Sequence, residues 1–346
     1  MKTEMMAAVL YGKEKLSVEA VAVPKIEKGD ILVRVKAALT CGTDVKVFQR
    51  GYHARMIVPP AVFGHELAGD VVKVGSAVAE FRPGQRVVAA NSAPCHACYY
   101  CLRDAENLCE NLLFNNGAYA EYIRIPARIV KKNTYAIPDH VGYQDAALAE
   151  PLACVLRGVE ETGIRPEDTV AVLGLGPIGL MFVRLAKVYG ARVIALGRRQ
   201  PQLERASRMG AEKVIEVTDR SDPVRLVRQL TGGRGVDVAI EAVGTPSTWE
   251  TALQMVRRGG TVNFFGGCPS DSRLTLDTSL MHYSEITCKA SFHHTPSHMR
   301  RAIEVISEGN VTARDFVNNE EPLTNLLEVM RYLMSHNGHL KTAIIP

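Results

Sequence analysis

Val170-Ala171-Val172-Leu173-Gly174-Leu175-Gly176-Pro177-Ile178-Gly179 carries the strongest structural signal in this chain. An apolar strand candidate, Thr169–Leu173, runs directly into G-x-G-x-x-G, and a helix candidate, Gly179–Tyr189, follows. The first glycine permits a tight turn, the second lets backbone approach a pyrophosphate, and the third lets the helix pack close to the strand. Unpaired N–H groups at the helix N-terminus suit that anion. Gly174, Gly176, Pro177, Ile178 and Gly179 are therefore the candidate dinucleotide-binding loop.

Downstream the alternation continues. Ala191–Leu196 reads as a second strand, and Gln202–Met209 as a helix ending at Gly210, a candidate C-cap. Val214-Ile215, Val236–Ile240 and Thr261–Phe265 supply further β runs. Repeated βα units predict a parallel sheet with right-handed crossovers. The second strand ends in Leu196-Gly197-Arg198-Arg199. An NAD site usually has an acidic residue about 20 residues beyond the glycine motif, to hold the ribose hydroxyls. Here Gly197 takes that place, and Arg198 and Arg199 supply guanidinium groups suited to a 2′-phosphate. The expectation is NADP(H) in preference to NAD(H); the plainer reading is a solvated basic turn.

Upstream, Ile31–Val35, Gly69–Val74 and Gln85–Val88 are short β runs separated by turn signals such as Pro83-Gly84. At the C-terminal end, helical segments near Ser297–Glu308 and Leu323–Ser335 precede a short apolar tail. A chain of 346 residues, 47% hydrophobic and 23% charged, is long enough for two domains with real cores. The net charge of +4 has no basic block behind it and gives no support for a nucleic-acid partner. Met1–Tyr11 lacks a signal pattern and no apolar run reaches about 18 residues, which predicts a cytoplasmic protein with no membrane partner.

Of eight cysteines, Cys95, Cys98, Cys101 and Cys109 crowd one loop, the donor set of a closed structural zinc site. A zinc ribbon for nucleic acid shares that pattern, but the charge and the cofactor motif argue against it. A second set is dispersed: Cys41-Gly42-Thr43-Asp44, Gly64-His65-Glu66 and Glu150-Pro151. One sulfur, one imidazole and one or two carboxylates are the ligand types of a catalytic zinc with an open position.

Taken in order, these pieces resemble the zinc-containing medium-chain dehydrogenases over nearly the whole chain, most of all the polyol branch that includes sorbitol and threonine dehydrogenases. Gly117-Ala118-Tyr119-Ala120-Glu121-Tyr122 and Glu150-Pro151-Leu152 add to the match. The resemblance implies an α/β protein in which a Rossmann doubly wound parallel sheet (residues 153–291) is inserted into a GroES-like, mostly β catalytic domain (residues 1–152 and 292–346). It implies an active site in the cleft between them, with two zinc ions per chain.

By the same resemblance Cys41 and His65 bind the catalytic zinc. Glu66 is the favoured further ligand, with Glu150 as fourth ligand or near neighbour. Zinc is expected to act as a Lewis acid on the substrate oxygen while hydride passes to the nicotinamide. Thr43 is expected to take the alcohol proton, although it could instead cap a helix starting near Asp44. Many relatives carry a histidine where this chain has Lys46, so the relay would end at Thr43, a ribose hydroxyl or water. His293 and His294 fall in a substrate-proximal segment, and His293 stands where sorbitol dehydrogenases have arginine. Phe48, Tyr52 and Phe114 are suspected pocket residues.

The implied reaction is hydride transfer between NADP(H) and a secondary alcohol or polyol, or its ketone, in a homo-oligomer (tetramer or dimer). Competing readings are a primary or amino alcohol dehydrogenase using NAD(H), a zinc-independent reductase, and a non-catalytic NADP(H) binder. The intact metal-ligand sets weigh against the last two.

Overall fold

The computed structural model describes residues 2–53, 55–335 and 339–346. The chain divides into two compact units: Met1–Ala153 with His294–Pro346, and Cys154–His293.

In the second unit six parallel strands lie in the order Lys213–Glu216, Arg192–Gly197, Thr169–Leu173, Val236–Glu241, Val256–Phe264 and Thr287–Ala290. Counted along the chain this is the doubly wound order 3-2-1-4-5-6. All five residues of Thr169–Leu173 are buried, as a central strand covered on both faces requires. Strand order reverses between Thr169–Leu173 and Val236–Glu241, and ligands bind such sheets at the carboxyl ends on either side of the reversal.

The first helix of this unit spans Pro177–Val188 and the second Gln200–Arg208, each two residues earlier at its start than periodicity suggested. Both carry proline in the first turn, where its missing N–H costs nothing. Gly210, at φ 108°, follows the cap of the second helix in the left-handed conformation. Gly179 packs so closely that an added Cβ would lie 1.7 Å from the Gly174 carbonyl oxygen.

The first unit is mostly β. Thr134–Ala136, Arg86–Ala89, Glu66–Val74, Ile31–Leu39, Lys341–Ile345 and Val317–Pro322 form one sheet in that order, with Tyr122–Ile125 also paired to Ile31–Leu39. The last strand sets Ala343 opposite Leu39 and Ile344 opposite Ala38, so the C-terminal segment completes a sheet begun by the first forty residues. A hairpin of Glu4–Gly12 and Lys15–Ala22 packs its apolar residues inward. The short helix Gly42–Arg50 turns Val47 and Phe48 into the core beside Phe63, Tyr119 and Ile344.

Replacing Gly179 by alanine forces the glycine turn and its helix apart. The expected result is a loss of about 3 kcal/mol of stability, read as a lower urea midpoint. A wild-type midpoint would mean that the turn has slack to give.

Candidate functional site

The strand Ile31–Leu39 delivers the chain to Cys41, which caps the helix Gly42–Arg50. The Cys41 sulfur accepts the Thr43 N–H at 3.4 Å, and the Asp44 carboxylate accepts the Cys41 N–H at 3.2 Å. This reciprocal cap fixes the thiol and the carboxylate at one helix N-terminus. It also corrects one expectation: the capping residue is Cys41, and the Thr43 hydroxyl makes no hydrogen bond among the described residues.

His65 enters the site at the start of Glu66–Val74. Its Nδ1 donates to Asp44 Oδ1 at 2.9 Å, while Tyr119 Oη donates to Asp44 Oδ2 at 2.6 Å. Asp44 therefore sets the tautomer and leaves Nε2 to face a ligand, the usual outer support of a metal-binding imidazole. Burial alone would lower the His65 pKa, but Asp44 and Cys41 outweigh it and hold the ring well above its ordinary range. A metal binding there would displace a proton. The ligand atoms of Cys41, His65 and Glu66 lie within 4.8 Å of one another.

Glu66 is fully buried, and both its oxygens accept from Lys341 Nζ, at 2.7 and 2.6 Å. The same ammonium donates to the Thr40 carbonyl at 3.0 Å. Desolvation would discharge Lys341, but Glu66 outweighs it and keeps the lysine charged. The carboxylate favoured as a ligand is thus occupied by a lysine that nothing in the local sequence flagged. Lys341 merely opens an apolar tail, and its partner lies 275 positions earlier.

Glu150 sits in the first turn of the helix Ala149–Thr162, buried, within electrostatic reach of His65 and Glu66. Burial pushes its carboxyl up to about 7. His294 is buried beside it, with Nε2 3.7 Å from Glu150 Oε1 and 3.2 Å from Asn91 Oδ1. His293 takes a left-handed backbone, φ 68°, in the other unit, and its carbonyl accepts from Arg157. Phe48 must be corrected: it is fully buried in the apolar core of the first unit, because it lies on the inward face of an amphipathic helix. Tyr52 is exposed.

The four-cysteine loop closes on itself. Cys95, Cys98, Cys101 and Cys109 lie within 4.8 Å of one another, with Cys95–Cys101 and Cys98–Cys109 sulfur separations of 3.9 Å. A tetrahedron of sulfurs about a zinc ion has edges of roughly 3.8 Å, so the donor set and its spacing suit that metal. The thiols are already polarised: the Cys101 N–H draws Cys98 down to about 6, while burial pushes Cys101 up to about 12.

In the second unit Gly176 caps the helix Pro177–Val188, and a Cβ added to it would meet nothing within 4 Å. That open approach suits a pyrophosphate. Gly174, at φ 93°, lies against Ala242 and Val243. Glu241 Oε1 holds that neighbouring loop by accepting from the Val243 and Gly244 N–H groups at 2.8 and 2.9 Å. At the end of the second strand, a Cβ on Gly197 would come within 2.8 Å of Leu175 Cδ1, so the glycine gives room to that leucine. No carboxylate stands at this position. Arg198 is exposed and Arg199 caps the next helix.

Residues 27–139 match the alcohol dehydrogenase GroES-like domain family, and residues 177–308 the zinc-binding dehydrogenase family. The chain is 32% identical to sorbitol dehydrogenase of Bacillus subtilis, over 99% of this chain and 97% of the relative. It is 39% identical to L-threonine 3-dehydrogenase of Bacillus licheniformis over 73% of each chain. A solved structure from Sinorhizobium meliloti, with NADP bound, superposes with a TM-score of 0.91 at 30% identity, covering 100% of both chains.

Lys341→Met leaves the Glu66 carboxylate buried without its cation, and should cost about 3–5 kcal/mol in urea unfolding. Adding Glu66→Gln should recover much of that loss; no recovery would mean that the lysine acts through packing alone. Glu150 gives a pH signature in metal-free protein. Its folded pKa of about 7 exceeds the ordinary 4.5, so its stabilising contribution is complete below about pH 4.5 and is lost as pH rises through 7. Glu150→Gln should therefore gain on wild type between pH 5 and pH 8, and a constant difference across that range would contradict the assignment.

Proposed function

The chain belongs to the zinc-dependent alcohol and polyol dehydrogenases, and on that premise we propose that it transfers hydride between NADP(H) and a secondary alcohol or polyol, or the matching ketone. The observation that carries this reading is the Cys41–His65 pair oriented by Asp44 in a buried pocket of carboxylates. Cys41 and His65 would hold the catalytic zinc. Glu66 is the carboxylate whose oxygen lies close to both, but Lys341 engages both of its oxygens, so Glu150, buried within electrostatic reach of His65, would be the carboxylate free to join them. Zinc at that site supplies a Lewis acid for the substrate oxygen, and a nicotinamide held by the glycine loop supplies the hydride acceptor.

The protein's own part is orientation and proton handling. Asp44 holds the imidazole through Nδ1, and Tyr119 holds Asp44. Thr43, with its hydroxyl uncommitted beside Cys41, takes the alcohol proton. Thr43 releases its own proton as it accepts that one, and with Lys46 exposed on the same helix the proton passes on to a ribose hydroxyl or to solvent. Cys95, Cys98, Cys101 and Cys109 would hold a second, structural zinc. Gly174, Gly176, Pro177, Ile178 and Gly179 bind the pyrophosphate, while Arg198 and Arg199 favour a 2′-phosphate at the end of a strand that lacks an acid.

Two features bear on location and assembly. None of the eight cysteines is in a disulfide, which suits a reducing cytoplasm, and no helix among the described residues is long and apolar enough to cross a membrane. Thr287–Ala290, exposed at all four residues, leaves an open edge on the parallel sheet, a surface on which the proposed homo-oligomer could pair two copies.

Metal analysis should find close to two zinc ions per chain, with Cys41→Ser losing about one of them and its turnover. Thr43→Ala should keep its zinc and lose most of kcat. Arg198→Gln with Arg199→Gln should depress kcat/KM for NADP+ far more than for NAD+. Full turnover by Cys41→Ser would overturn the zinc reading, and unchanged cofactor selectivity in the double variant would overturn the NADP(H) reading.

A further inference from the structure

Arg198 already has an anion. Its Nη2 donates to Asp219 Oδ1 at 2.9 Å, although both side chains are largely exposed, at 72% and 92%. The acid reaches it because the two segments are registered on each other. Arg192–Gly197 runs beside Lys213–Glu216 with Gly197 opposite Glu216, and the Val217 N–H donates to the Gly197 carbonyl at 2.7 Å. Beyond that bond the Ser221 hydroxyl accepts the Thr218 N–H and donates to the Thr218 carbonyl, both at 2.9 Å. Asp219 is therefore carried on a closed turn that starts from the sheet next to the arginine pair. Arg199, by contrast, has no ion pair among the described residues.

Resting on the NADP(H) reading above, we propose that Asp219 is a specificity-setting residue. Its carboxylate accepts from Nη2 of the Arg198 guanidinium that a 2′-phosphate would use, and so limits the preference for the phosphorylated cofactor. A carboxylate and a phosphate monoester seek the same donors on a guanidinium, so the two compete at Nη2. Whether it displaces Asp219 or binds beside it on the remaining donors, the phosphate lies near that negative charge, well inside the Debye length of about 8–10 Å. A cofactor with a free 2′-hydroxyl neither displaces the acid nor is repelled by it. Arg198 and Arg199 thus raise affinity for NADP(H), Asp219 subtracts from it, and NAD(H) is left usable.

Calorimetric titration of the intact protein with adenosine 2′,5′-bisphosphate and with adenosine 5′-monophosphate tests this without turnover. Asp219→Asn should tighten the bisphosphate Kd about two- to five-fold at low salt, the range set by one exposed ion pair. The monophosphate Kd should stay where it is, and the gain should fade at high salt. In steady-state assays the NADP+ to NAD+ ratio of kcat/KM should rise by a similar factor. An unchanged or weaker bisphosphate Kd in Asp219→Asn, with Arg198→Gln weakening it as expected, would overturn the proposal alone. Should Arg198→Gln bind the bisphosphate as tightly as wild type, the NADP(H) reading falls and this proposal with it.

Discussion

The first unit depends on a buried charge that must be neutralised. Glu66 lies at the start of a central strand, wholly out of water, and an isolated carboxylate there would cost more than a small core can return. Lys341 meets both of its oxygens and also takes the Thr40 carbonyl. That one ammonium ties together the strand bearing His65–Glu66, the turn leading to Cys41 and the last strand of the chain. The arrangement of possible metal ligands follows from it. Cys41, His65 and Glu66 bring their ligand atoms together while Lys341 holds the carboxylate, and Glu150 lies buried within electrostatic reach of them. Asp44 completes the order by belonging at once to the helix cap and to the imidazole.

The second unit solves a different problem, that of presenting anion-binding backbone at the edge of a sealed sheet. Its central strands carry no polar side chain inward except at their ends, so the chemistry is confined to the turns that leave them. Gly179 lets the helix sit on the carbonyl of Gly174, and Glu241 braces the adjoining loop from below. The specificity of the adenosine end is then left to exposed groups on two neighbouring turns, where single charges can be exchanged without disturbing the sheet.

What could be read from the sequence was whatever is local. The glycine motif, the four-cysteine loop and the Cys41 and His65 neighbourhoods announce themselves by spacing, and the alternation of strands and helices gives five of the six parallel strands, missing the exposed edge strand Thr287–Ala290 and the first five residues of Val256–Phe264. Relations that span the chain were not legible. Lys341 gives no sign of its partner, because a lone lysine before Thr342-Ala343-Ile344 looks like any strand start. The role of Asp44 is hidden in the same way, since its cap bond to Cys41 is local but the imidazole it orients lies 21 positions away. Phe48 reads as a pocket residue from the sequence because an aromatic beside a site is ambiguous until the inward face of its helix is known. Val317–Pro322, Val-Asn-Asn-Glu-Glu-Pro, lacks the alternation of a half-buried strand and pairs only because Lys341–Ile345 offers it an edge.

The insertion of one unit within the other has a consequence for biosynthesis. Residues 154–293 are contiguous and emerge from a ribosome as a complete sheet, able to close while the chain is still growing. The first unit cannot do so. Its strands Ile31–Leu39 and Glu66–Val74 precede the inserted unit, and the Glu66 carboxylate and the edge at Ala38 and Leu39 wait for Lys341–Ile345, which follows it. A nascent chain therefore carries an unfinished β-sheet until the inserted unit has been made, and loss of Lys341–Ile345 would leave that sheet so.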